Sequence, residues 1–157
     1  MCIMVLEKKI LTLAWIISIA CFYLFIPRDK RRNAHVVFLF MQVITWLIGL
    51  EVVTLGLIEY PIRFFSNATK TSFTFEFLVY PIISAFFNVY YPENKGNSTK
   101  FKYYIIICSL ITGLELLFES NTQVIKYINW TGYYTWITVF VSLYISRLYY
   151  RWFFKIS

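Results

Sequence analysis

The chain has 157 residues, 59% of them hydrophobic and 22% aromatic against 15% charged, and a mean hydropathy of +0.62. Soluble domains average roughly 45–50% apolar and about 25% charged, so an ordinary soluble domain is excluded, while five glycines, four prolines and many aromatics exclude collagen-like, low-complexity and disordered chains. The net charge of +7 sits in short clusters between long apolar stretches, which is the pattern of a polytopic membrane protein.

A transmembrane helix needs about 20 predominantly apolar residues to cross a hydrocarbon core of roughly 30 Å. Five stretches are expected to do so. The first, Ile10–Ile26, is stopped by Pro27 and the basic run Arg28-Asp29-Lys30-Arg31-Arg32-Asn33. Glu7-Lys8-Lys9 before it resembles the n-region of a signal peptide, but no A-x-A site follows and the apolar run continues, so it is expected to be retained as a span. The second runs from Ala34 to Ile58, ahead of Glu59-Tyr60-Pro61, and the third, Ser72–Tyr91, contains Pro81. The fourth and fifth are Tyr103–Phe118 and Trp130–Ser146. The expected fold is therefore all-α, a single transmembrane helical domain over 1–157.

Basic residues in short loops set orientation. With the N-terminus outside, the inner segments hold Arg28, Lys30, Arg31, Arg32, Lys95, Lys100, Lys102, Arg147, Arg151 and Lys155, and the outer ones only Lys8, Lys9, Arg63, Lys70 and Lys126. That asymmetry predicts N-out, C-in. The tail Arg147, Tyr149, Tyr150, Arg151, Trp152, Phe153, Phe154 and Lys155 mixes rings and cations as interfacial anchors do, with Arg147, Arg151, Trp152 and Lys155 placed against anionic headgroups. Because the tail continues a span, stacking on nucleic acid is rejected as its role.

Catalytic constellations are missing. His35 is the single histidine, without a second His or a nearby acid in sequence to build a metal site or a Ser–His pair. Cys2, Cys21 and Cys108 have no paired spacing, and no phosphate-binding glycine loop occurs. A non-enzymatic protein without cofactor or metal is expected.

Three carboxylates, Glu51, Glu76 and Glu115, fall inside the second, third and fourth spans. An acid within a span costs a few kcal/mol and normally faces the bundle interior or water. At about 1.5 Å per residue each lies roughly 7–8 Å from its span midpoint, and given the span directions all three are displaced toward the outer side. They are candidates for an outward-facing proton- or cation-binding cluster, with Arg63 as counter-charge and Glu119 one turn beyond Glu115. The alternative is that each only bonds a neighbouring helix. On the second span His35, Gln42, Gly49 and Gly56 recur every seven residues, with Thr45 beside them, marking a close helix contact and a central position for that span. Pro81 frees a backbone carbonyl and permits a kink.

The Pro27-Arg28-Asp29 entry, the run from Gly56 to Arg63 (GLIEYPIR), the run from Phe75 to Pro81 (FEFLVYP), the run from Ile125 to Tyr134 (IKYINWTGYY) and the tail Tyr150-Arg151-Trp152-Phe153-Phe154 occur in one order. Together they resemble, over nearly the whole chain, an uncharacterised family of small five-span membrane proteins of endospore-forming Firmicutes such as bacilli and clostridia. The resemblance implies a bacterial plasma membrane, with the spore membrane suggested by the hosts alone, and acidic side chains at the positions of Glu51 and Glu76, where members often carry Asp. It lends no activity. The first functional expectation is a non-enzymatic scaffold or partner-binding subunit in an anionic bilayer, forming a homo-oligomer or joining a larger membrane protein. The second is a small carrier or channel component using the carboxylate cluster. A lipid-modifying enzyme ranks last, for want of a metal set or nucleophile.

Overall fold

A computed structural model describes residues 2–156. It is all-α, with five helices. The chain runs through α1 (Cys2–Phe25), one 3-10 turn (Arg28–Lys30), α2 (Arg31–Thr54), β1 (Ile58–Glu59), a π-helical segment (Phe75–Val79) continuing into α3 (Tyr80–Val89), α4 (Asn97–Asn121), β2 (Lys126–Tyr127) and α5 (Gly132–Phe154).

Three of these helical stretches, Met4–Phe25, Arg28–Thr54 and Asn97–Asn121, are long and apolar enough to cross a membrane. The expected five qualifying spans are corrected to these three. The third expected span is a shorter apolar helix over Phe75–Val89, about 22 Å at 1.5 Å per residue. The fifth is long enough but carries Thr135, Thr138, Ser142, Ser146 and Arg147 along one side, which lowers its apolarity. Thr135, Ser142, Ser146 and Arg147 are buried inside the bundle.

Helix ends follow local chemistry more than hydropathy. The second expected span ran to Ile58, but α2 stops at Thr54 because Gly56 takes a left-handed φ of 67°. The Gly56 N–H then bonds the Val53 carbonyl and the Leu57 N–H the Val52 carbonyl, the paired bonds that close a helix on glycine. Gly56 therefore terminates α2 and does not pack, with nothing within 4 Å of where its Cβ would stand. At the other end of the chain the tail stays helical through Phe154, where Lys155 adopts a left-handed φ of 52°.

The most enclosed element is α3, in which Pro81, Ile82, Ser84, Ala85, Phe87, Asn88 and Val89 are all buried. The second span touches partners on both sides, as expected: on α2, His35 lies edge-on to Phe22 of α1, Gln42 bonds Phe77 and Phe40 stacks on Tyr149 of α5, while its buried residues form one stripe, Ala34, Val37, Met41, Thr45 and Gly49. Against α3, Phe22 of α1 and Ile26 just after it pack with Ala34 of α2 on one side, and Tyr104, Cys108 and Ile111 of α4 with Leu143 of α5 on the other. Outward from this core, Leu39, Leu47, Leu110 and Leu117 are exposed, giving apolar flanks of the kind lipid covers.

Two loops close one end of the bundle. Ile58 pairs with Tyr127 and Glu59 with Lys126 in a short antiparallel ribbon, and the Leu57 carbonyl accepts from both Ile128 and Asn129 N–H groups. The ribbon joins the α2–α3 loop to the α4–α5 loop and brings Tyr60 and Tyr127 over the helix ends.

Candidate functional site

Pro81 has no N–H, so the carbonyl it would serve in an α register, Phe77, and the one it would serve in a π register, Glu76, each lack that backbone donor. Two side chains of α2 supply replacements: Gln42 Nε2 donates to the Phe77 carbonyl at 2.8 Å and Thr45 Oγ1 to the Glu76 carbonyl at 2.5 Å. One turn on, Gly49 lets the Glu76 side chain pass, since a Cβ there would stand 2.8 Å from both Glu76 Cγ and Cδ. Gln42, Thr45 and Gly49 are thus one contact with the π-helical segment, which such segments often make where function lies. His35 belongs to a different contact, its ring edge-on to Phe22 of α1 at 4.8 Å.

Glu76 and Glu115 line one cleft between α2, α3, α4 and α5, together with Tyr60, Tyr80, Trp130 and Thr135. Glu76 is buried and its Oε1 accepts from the Tyr60 hydroxyl at 3.0 Å. Its Oε2 accepts no hydrogen bond among the described residues and opens on the cleft. Glu115 is fully dressed: Tyr80 donates to Oε2, while Tyr127 and Thr135 donate to Oε1 at 2.5 and 2.8 Å. Direction is fixed by the indole, which only donates: Trp130 Nε1 gives its proton to Thr135 Oγ1 at 2.8 Å, leaving the Thr135 hydroxyl to donate onward to Glu115. Burial, and then the nearby Glu76 carboxylate, push the Tyr60 phenol well above its ordinary pKa. Burial and Glu115 do the same to Tyr127. Both phenols therefore stay protonated donors.

The structure brings together two of the three sequence-identified carboxylates. Glu51 is exposed on α2, roughly 200° around the helix from Gly49, so it points away from the cleft that the Gly49 face borders. Arg63 does not face a carboxylate. Its guanidinium donates to the carbonyls of Tyr60 and Thr69, each at 2.7 Å, and of Ser66 at 3.3 Å. Its contribution is to hold the loop that presents Tyr60. Arg147, expected at the headgroups, is buried: it pairs with Glu93 of the α3–α4 loop and lies over the Tyr91 ring at 4.0 Å. Arg151, Trp152 and Lys155 are exposed at the end of α5.

Sequence reasoning missed Tyr60, Tyr80, Tyr127 and Thr135 as partners of the acids. It also missed Glu7, which is buried and accepts the Gln123 N–H at 3.0 Å. The one available signal was the spacing of Thr135, Thr138, Ser142 and Ser146, which at three or four residues puts them on one helix face. Among the described residues no group of three or more His, Cys, Asp or Glu is placed to hold a metal ion. Comparison of the chain with known protein families, curated proteins and solved structures finds no match.

Proposed function

We propose that the protein is a multi-pass component of a bacterial plasma membrane that takes up a proton or small cation in the Glu76–Glu115 cleft, as part of a carrier or channel. The observation that carries this reading is the shared cleft: two carboxylates from different helices line it, and one of them, buried, keeps an oxygen without a hydrogen-bond donor. Glu76 is largely buried, so a proton or a cation reaching its cleft-facing oxygen lowers the cost of holding a carboxylate charge in a poorly hydrated site. Glu115, already served by three hydroxyls, sets the polarity of the site, and Glu76 is the group that changes state. The scaffold reading has less support, since it gives no reason for a carboxyl oxygen facing a cleft.

In this reading α1, α2 and α4 span the bilayer, and α3 and α5 pack against them, shielded by neighbours and turning their polar groups inward. The N-terminus and the β1–β2 ribbon face outside, which suits the basic-residue asymmetry. The resemblance to the endospore-former family supplies the bacterial setting. The test is dicyclohexylcarbodiimide modification of the protein in nanodiscs, which attacks protonated carboxyls in apolar surroundings. Glu76 should be labelled, labelling should slow when pH or alkali cation concentration is raised, and Glu76→Gln should abolish it while the protein still folds. Labelling indifferent to both pH and cation would end the proposal.

A further inference from the structure

The cleft is one end of a longer polar column. Ser142, buried on α5, still lines the cleft. One turn further along α5, Ser146 is completely enclosed, and its Oγ lies 2.6 Å from Ser84 Oγ of α3 and accepts from Asn88 Nδ2 at 2.7 Å. The next residue, Arg147, reaches Glu93 at the opposite end of the bundle from the ribbon. From Thr135 to Arg147 the series covers about 18 Å of helix at 1.5 Å per residue. Two atoms in the column have no partner among the described residues although both are buried: Asn88 Oδ1 and Arg147 Nε. Asn88 is 3% exposed and Arg147 5%. Buried polar atoms left without a partner in a native interior usually mark a bound water.

We propose that the inward face of α5 is a proton path from the Glu76–Glu115 cleft to the α3–α4 loop, closed at the loop end by the Arg147–Glu93 pair. This rests on the reading that the cleft takes up a proton. A proton arriving on Glu76 Oε2 passes along hydroxyls and bridging waters by Thr138, Ser142, Ser146 and Ser84. At each hop one O–H bond breaks and another forms, so one proton enters and one leaves with no change in oxidation state. Glu93 is the last acceptor, and the Arg147 cation beside it repels the incoming charge until the pair separates. The column also accounts for the composition of α5, whose Thr and Ser residues turn inward along it.

Two experiments decide it. In proteoliposomes with an internal pH dye and an inside-negative potassium potential, Arg147→Gln, which removes the closing cation and keeps the last acceptor, should raise proton entry at least tenfold over the unmodified protein. Adding Ser146→Val should return the rate to baseline. An Arg147→Gln rate equal to that of protein-free vesicles, or a raised rate that survives Ser146→Val, overturns the path. Because Arg147→Gln also removes the packing on Tyr91, the near-isosteric Ser142→Cys and Ser146→Cys are treated with hydrogen peroxide, little larger than the waters of the path, and read by peptide mass. Both should react, while Cys108, fully enclosed among Phe87, Tyr104 and Leu143, should not. Reaction at neither position, or at 142 alone, overturns the path. If Glu76 is labelled by carbodiimide as expected while these outcomes fail, the cleft stands and only the path falls.

Discussion

At the residue scale, the two carboxylates differ in how much each depends on a single neighbour. Glu76 has one hydroxyl donor, Tyr60, whereas Glu115 has three. Leaving a buried acceptor unsatisfied costs about 1–3 kcal/mol, while losing one of several bonds costs nearer 0.5–1.5 kcal/mol. Tyr60→Phe should therefore destabilise the protein more than Tyr127→Phe, read as the shift in unfolding midpoint in one detergent. Equal shifts would mean that Glu76 finds another donor. The same phenols set an alkaline limit. Their folded pKa values lie above the ordinary value, near 10 in the unfolded chain, so the protonated form is favoured on folding. That stabilisation is complete below about pH 10 and is lost as pH rises toward the folded values. The unfolding midpoint should fall above that pH, and fall less steeply in Tyr60→Phe; parallel curves would contradict the assignment.

At the element scale, the π-helical segment explains why the site exists where it does. Pro81 withholds a backbone donor and α2 returns two side-chain donors, so Gln42, Thr45 and Pro81 act as a unit. Gln42→Leu should cost about 1–3 kcal/mol by stranding the Phe77 carbonyl. In a Pro81→Ala background the restored N–H serves that carbonyl, and the same Gln42→Leu should cost less than half as much. The double-mutant cycle measures this coupling directly, and additive effects would refute it. Much of this was legible in the sequence, because an acid, an amide and a proline inside apolar runs are each costly and so stand out. The geometry that joins them was not. Hydropathy carried the second span to Ile58, yet a left-handed Gly56 ended it earlier, and the same seven-residue repeat that identified Gln42 and Gly49 swept in Gly56, which caps, and His35, which packs on α1. Glu51 was grouped with the other acids by depth alone, and depth says nothing about which way a helix is turned.

At the scale of the whole molecule, two loop connections lock the bundle, the β1–β2 ribbon at one end and the Arg147–Glu93 pair at the other. Neither was visible in the sequence, because each joins segments far apart in the chain: Ile58 with Tyr127 across the ribbon, and Glu93 with a residue whose aromatic, basic surroundings resemble an interface. The pair is lopsided in burial, with the arginine side chain 6% exposed and the glutamate 33%. Removing one partner of a buried pair strands the other, so the two single variants are not equivalent. Arg147→Gln leaves a glutamate that reaches solvent by a small rotation. Glu93→Gln leaves a guanidinium held over Tyr91 in the interior, with its Nε already without a partner. The second should cost about 3–5 kcal/mol, offset in part by the ring beneath it, and the first clearly less once the lost stacking is counted. Denaturant unfolding in mild detergent measures both. If Arg147→Gln proves the more damaging, the arginine serves chiefly as packing for Tyr91 and Tyr150, and the ion pair is not what holds that end of the bundle closed.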